Sequence, residues 1–175
     1  GVVQTLAPYD TVDLLQPVVL EDGTTVTRQV VPLGPAASQI AIKQLGTNGG
    51  GFFGVNSAHP LENPNALSNL FEMISLLLIP VACCFTFGYG VRDKRQGRAL
   101  FLAMLIMLAV FLGIAAVSEA SATPQLAQQG AVDVTASDMQ AGGNMEGKET
   151  RFGIAASTTW GVFTTAASNG SVNSM

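Results

Sequence analysis

Two short strings in this chain share the order hydroxyl, Asn, Gly, small residue: Thr47-Asn48-Gly49-Gly50 and Ser168-Asn169-Gly170-Ser171. Gly49 and Gly170 lie 121 residues apart. Ringed backbone carbonyls can replace the water shell of a cation such as K⁺. Turning successive carbonyls toward one axis demands backbone angles that a Cβ disfavours, so glycine suits such a loop. The neutral side chains fit selection by carbonyl dipoles, whereas rings of Asp or Glu point to a different cation filter. By composition alone, GTNGGG reads sooner as a flexible linker and SNGS as an ordinary turn. The surrounding elements have to decide.

Each string follows a short apolar segment. Ala36–Leu45 reads as a short helix entered through Pro35, and Arg151–Ala167 as a second helix containing Phe152, Trp160 and Phe163. The first is too short to span a bilayer. A short re-entrant helix aims its carbonyl end, about half a negative charge, toward the membrane interior. Non-helical backbone is tolerated at that depth only where it lines a water-filled path. Gly51 continues the glycine run, and Gly54–Asn65 is a polar, Pro-containing loop. In this loop Asn56 and Asn65 are expected to cap or tie the chain. His59, the single histidine, is expected to make a structural hydrogen bond that braces the filter. Gly51, Asn56 and His59 are thus support for the filter rather than its lining.

Between the two strings lie two charge-free runs, Met73–Val91 and Ala99–Ser118. About 20 apolar residues cross the hydrocarbon core, so both read as transmembrane helices. The first can begin near Ala66, which admits Glu72 into its outer turn, and Pro80 is tolerated in a membrane helix. Charged residues are 11% of the chain against about 25% in soluble domains. The turn Arg92–Arg98 carries Arg92, Lys94, Arg95 and Arg98 against Asp93. Short basic loops stay in the cytoplasm. Both Asn-Gly strings then lie on the outer side. Acids dominate the flanks: Asp10, Asp13, Glu21 and Asp22 against Arg28, and five acids against Lys148 in residues 119–150.

The expected organisation is therefore residues 1–34 as an outer loop with a small β-hairpin, 35–65 as pore helix, filter strand and loop, and 66–91 as a membrane helix. Residues 92–98 form the cytoplasmic turn, 99–118 a second membrane helix, 119–150 an outer surface loop, and 151–175 a second pore helix and filter strand. The hairpin rests on two β-rich runs, Pro17–Leu20 and Thr24–Val31, around Asp22-Gly23. Gly1 is not an initiator Met, and Met175 ends a Gly/Ser/Asn-rich stretch, so both ends are expected to be cut from a longer protein.

Other motifs carry less. Gly142–Glu149 nearly spells a phosphate loop, but Glu149 stands where a hydroxyl should hold Mg²⁺. Lys148, Glu149 and Arg151 are expected to pair near the second pore helix. Adjacent Cys83 and Cys84 suit neither a disulfide nor a metal. Glu72 and Glu119 sit near membrane boundaries, where either water or a buried partner is open to them. Tyr89 and Trp160 fit interfacial or packing roles.

Four stretches carry a family resemblance: GTNGGGFFGVNSAHPLENP at Gly46–Pro64, GRAL at Gly97–Leu100, NMEGKETRFG at Asn144–Gly153 and TTAASNGSVNSM at Thr164–Met175. Together they resemble the potassium-binding A subunits of bacterial Kdp-type K⁺-transporting ATPases, from about Pro35 onward. Leu61 departs mildly, standing where an aromatic residue is expected. The resemblance implies an all-α membrane protein of the potassium transporter superfamily, built from four helix–pore-loop–helix repeats around one pore, with a small extracellular β-hairpin. It implies that this chain holds the end of repeat two and the start of repeat three. It places the K⁺ filter on Thr47, Asn48, Gly49, Gly50, Ser168, Asn169, Gly170 and Ser171, two of four strands. It implies no cofactor and no catalytic residues in this chain, with ATP and Mg²⁺ on a partner P-type ATPase B subunit, a C subunit beside it, and no nucleic acid. The setting is the bacterial inner membrane, with filter loops facing the periplasm. A symporter or channel pore of the same architecture, and a membrane-anchored binding module with Gly-rich linkers, are the competing classes.

Overall fold

Asp10–Val19 (β1) and Thr25–Val31 (β2) pair antiparallel in a computed structural model that describes residues 9–128, 130, 133–140 and 142–174. The turn is the one expected at Asp22-Gly23. Gly23 is left-handed, φ 82°, and its N–H donates to the Leu20 carbonyl at 2.9 Å. Asp22 accepts the Thr24 N–H at 2.9 Å, which holds its carboxyl below the usual carboxylate range. β1 begins earlier than the Pro17–Leu20 run, because Asp10–Asp13 pair with Arg28–Val31. Almost every β1 residue is exposed, so no alternating apolar face marked that half of the strand. The register shifts between Asp13 and Val18, where Pro17 has no N–H to give the ladder.

The chain divides into two compact units, Gly1–Ile42 and Lys43–Met175, with the boundary inside helix α1, Leu33–Leu45. α1 begins two residues before Pro35, which lies in the first turn, where its missing N–H removes no intrahelical bond.

Two long helices follow, Ala66–Gly90 (α2) and Lys94–Ala120 (α3), each long and apolar enough to cross a membrane. Their boundaries are set by caps. The Asn65 side chain accepts the Leu67 and Ser68 N–H groups while the Ser68 hydroxyl accepts the Asn65 N–H, a reciprocal capping box. Asp93 accepts the Arg95 N–H at 2.9 Å to start α3. The turn between them places Arg92 at φ 57°. At the closed end the helices meet through Gly88 and Gly97. A Cβ on Gly97 would stand 2.8 Å from the Cys84 carbonyl oxygen. Elsewhere α2 and α3 leave Phe71, Ile74, Leu78, Ile106, Phe111 and Val117 exposed. Apolar surface on that scale needs lipid or protein cover.

The segment after α3 holds one element that composition did not announce, the short helix α4 at Pro124–Gln128. Helix α5, Gly153–Ala166, packs against α3 and α2.

Candidate functional site

Both Asn-Gly strings start two residues past a helix end. α1 ends at Leu45 before Thr47, and α5 ends at Ala166 before Ser168. Their backbones repeat as well. Thr47 and Ser168 are left-handed at φ 54° and 56°, and Gly49 and Gly170 at φ 71° and 86°. A β-branched threonine rarely adopts that region, so its pairing with Ser168 reports a shared local shape. Among the described residues the main-chain carbonyls of Thr47, Asn48, Gly49, Gly50, Ser168, Asn169 and Gly170 accept no hydrogen bond.

The two strings are in contact. A Cβ on Gly49 would lie 2.2 Å from the Asn169 carbonyl oxygen, so only glycine fits there. Asn169, 1% exposed, donates its side-chain amide to the carbonyls of Lys43 at 2.7 Å and Gln44 at 3.3 Å. These are last-turn carbonyls of α1, left without helical donors. The other end of the Asn169 amide accepts the Ser171 N–H at 3.0 Å. The Ser171 hydroxyl donates to Gln44 Oε1 at 3.1 Å.

Ser171 differs from the other candidates. Its carbonyl accepts the Trp160 indole N–H at 2.7 Å, and Trp160 is fully buried. That oxygen is committed to the protein. Trp160 thus has a defined polar partner rather than an interfacial position.

Behind the first string sits a buried polar cluster. Lys43 and Glu62 form an ion pair at 2.6 Å with side chains 1% and 0% exposed. Lys43 also donates to the Ser57 hydroxyl at 2.9 Å. Glu72 accepts from Gln44 Nε2 and from the Ser57 hydroxyl, both at 2.6 Å, so it takes buried partners. The second oxygen of Glu62 accepts the Phe52 N–H and, at 3.4 Å, the Phe53 N–H. One carboxylate therefore joins the end of α1 to the chain just past Gly50-Gly51.

The support residues divide. A Cβ on Gly51 would stand 2.6 Å from the Asn56 backbone, so Gly51 allows a close loop crossing. Asn56 is left-handed, φ 55°, and ties the loop through its carbonyl, which accepts the His59 N–H at 3.2 Å. Its side-chain oxygen is buried without a partner among the described residues. His59 stacks on Phe53 with ring centroids 4.4 Å apart and accepts the Leu61 N–H at 3.2 Å. Both contacts stay within the loop, and among the described residues no hydrogen bond joins His59 to Thr47–Gly50 as was expected of a filter brace.

The second string is anchored by asparagines. Asn69 Oδ1 accepts from both Asn63 at 2.9 Å and Asn173 at 2.8 Å. The Arg151 guanidinium donates to the Asn63 and Ala58 carbonyls and stacks on Phe152 at 4.2 Å. Lys148 pairs with Glu119 at 2.6 Å, and Glu149 lies 3.6 Å from Arg151. The ammonium in the near-phosphate loop is thereby engaged by a carboxylate.

Lys43, Gln44, Ser57 and Glu62 were missed by sequence reasoning. The available signal was a lysine in the last turn of a short apolar helix, which a buried carboxylate has to answer. A separate cavity of 730 Å³ between α2, α3 and α5 is lined by apolar residues such as Pro80, Met104, Leu108 and Val162 and includes neither string.

The family described as "Potassium-transporting ATPase A subunit" matches residues 1–175. A potassium-transporting ATPase potassium-binding subunit of Clostridium botulinum (strain Alaska E43 / Type E3) is 71% identical over 175 residues. One of Herpetosiphon aurantiacus is 63% identical, and one of Sorangium cellulosum 60%, over the same length. Each alignment covers 100% of this chain and 30% of the relative, so the chain spans under a third of their length. On this match the chain belongs to the family of potassium-transporting ATPase A subunits.

Proposed function

We propose that this chain forms part of the K⁺ path of an ATP-driven potassium uptake pump. Its ligands are the backbone carbonyls of Thr47, Asn48, Gly49, Gly50, Ser168, Asn169 and Gly170. One observation carries the reading: two strings with the same left-handed pattern meet at Gly49 and Asn169 with these carbonyls unpaired. Such oxygens suit a weakly hydrated monovalent cation, and the α1 and α5 carbonyl ends add a negative field. The names of the relatives as potassium-binding subunits support the ion.

In this reading the chain contributes no catalytic residue. ATP and Mg²⁺ act on a P-type ATPase B subunit, which receives the ion, and a C subunit completes the complex. The basic turn Arg92–Arg98 lies in the cytoplasm and both strings face the outside of the inner membrane. The two strings are two strands of a four-strand filter in the potassium transporter superfamily fold.

The test is Gly49→Ala and Gly170→Ala in the full-length protein with its partner subunits. Both lower K⁺ affinity and K⁺/Rb⁺ discrimination. Growth at low potassium with unchanged uptake kinetics overturns the filter assignment.

A further inference from the structure

The two strings are held together by a stop and a tie. The stop is backbone against backbone. A Cβ on Gly49 would stand 2.2 Å from the Asn169 carbonyl oxygen and 2.9 Å from both the Gly170 carbonyl carbon and the Ser171 nitrogen. The tie is Gln44, 2% exposed in the last turn of α1. Its Oε1 accepts the Ser171 hydroxyl at 3.1 Å, and no other side chain of α1 bonds the second string among the described residues.

The tie cannot swing. Gln44 Nε2 donates to Glu72 at 2.6 Å and to the Ser57 hydroxyl at 3.1 Å. Ser57 accepts from Lys43 and Gln44 and donates its own proton to Glu72. A carboxamide nitrogen has two protons, and a hydroxyl has one proton and two lone pairs, so both groups are used in full. Flipping the amide would set its oxygen against the Glu72 carboxylate. The oxygen that Ser171 reaches is therefore a fixed point. From Ser57 the same network runs through Lys43 and Glu62 to the Phe52 N–H, just past the first string.

We propose that Gln44 is a positioning residue for ion selection, resting on the K⁺ path proposed above: its carboxamide fixes the gap between the carbonyls of the two strings. Where carbonyls replace the water shell, the spacing and stiffness of the oxygens decide how well K⁺ is told from the larger Rb⁺. With the stop alone the strings can part but not close, so a loosened tie favours the larger ion. The Asn169 amide holds the main-chain carbonyls of Lys43 and Gln44, which any residue at position 44 still offers. The strings therefore stay in contact when the Gln44 side chain is changed.

The test uses the full-length protein with its partner subunits. Gln44→Met keeps a side chain of similar length and removes the acceptor, and Ser171→Ala removes the donor. Competition of Rb⁺ against K⁺ uptake is measured for each and for the double variant. Each single variant is expected to lose threefold or more in K⁺/Rb⁺ discrimination, appearing in KM rather than in turnover. The double variant is expected to match Gln44→Met, because both changes remove one bond. A purely structural role lowers the Tm and leaves discrimination at the parent value. Parental discrimination in Ser171→Ala, or losses that multiply in the double variant, overturns the proposal. Ser171→Ala decides alone where Gln44→Met does not assemble. Gly49→Ala is measured beside them. If it lowers K⁺ affinity while Ser171→Ala and Gln44→Met discriminate as the parent does, the tie fails and the K⁺ path stands; if all three are parental, both fail.

Discussion

Lys43 Nζ and Glu62 Oε2 stand 2.6 Å apart with both side chains sealed from solvent. The pair joins the last turn of α1 to the loop beyond the first glycine string. Removing one partner leaves the other as an isolated buried charge, which costs about 3–5 kcal/mol. Lys43→Met in the full-length protein is expected to destabilise on that scale in thermal unfolding. The double variant Lys43→Met/Glu62→Gln recovers part of the loss, because the glutamine carbonyl still accepts the Phe52 N–H. A double variant no more stable than Lys43→Met refutes the charge argument.

Trp160 tests the second string. Trp160→Phe keeps most of the buried ring and deletes the N–H that serves the Ser171 carbonyl. An unpaired buried carbonyl costs about 1–3 kcal/mol. Calorimetry of the full-length protein is expected to show a lowered Tm, and Trp160→Ala a larger drop from the lost volume, about 3–5 kcal/mol. Equal melting of Trp160→Phe and the parent protein removes the indole bond from the account.

Glycine substitutions separate strain from crowding. Gly49 and Gly54 are both left-handed, φ 71° and 95°, yet only Gly49 has a neighbour that a Cβ would strike. Gly54→Ala is expected to cost about 1–2 kcal/mol of backbone strain and to leave K⁺ affinity near its parent value. Gly49→Ala shifts the Asn169 carbonyl and weakens K⁺ binding by tenfold or more, on the order of 1.4 kcal/mol. Titration of the two variants with K⁺ decides, and equal affinities contradict the proposed ligand set.

Topology is testable by chemistry at two exposed residues. Gln96 precedes Gly97, whose own face is closed by the Cys84 carbonyl, so Gln96 is the better probe of the basic turn. In intact cells a cysteine-free background with Gln96→Cys is expected to resist a membrane-impermeant thiol reagent, and one with Gln128→Cys to react. The reverse pattern inverts the proposed orientation.

Much of this arrangement was legible because its signals are local. Asp22-Gly23 marks a turn, Asn65 reads as a cap, and 19 or 20 residues without charge need a helix in lipid. The repeated Asn-Gly strings were visible as words. Their contact was not, since nothing local says that the Asn169 amide seeks the Lys43 and Gln44 carbonyls. The buried cluster was hidden for the same reason. Lys43, Ser57, Glu62 and Glu72 meet only after the loop folds back, and each alone reads as an ordinary polar residue. β1 was shortened in the reading because an exposed strand has no hydrophobic alternation to show.

The Trp160–Ser171 bond makes the two strings unequal. The first leaves four carbonyl oxygens without a hydrogen bond among the described residues, Thr47 through Gly50, while the second leaves three, because the indole donates to the Ser171 oxygen. In the proposed K⁺ path, an ion passing between them would meet a lopsided cage rather than a symmetric one. The imbalance is built from a single aromatic side chain eleven residues upstream of the oxygen it withholds.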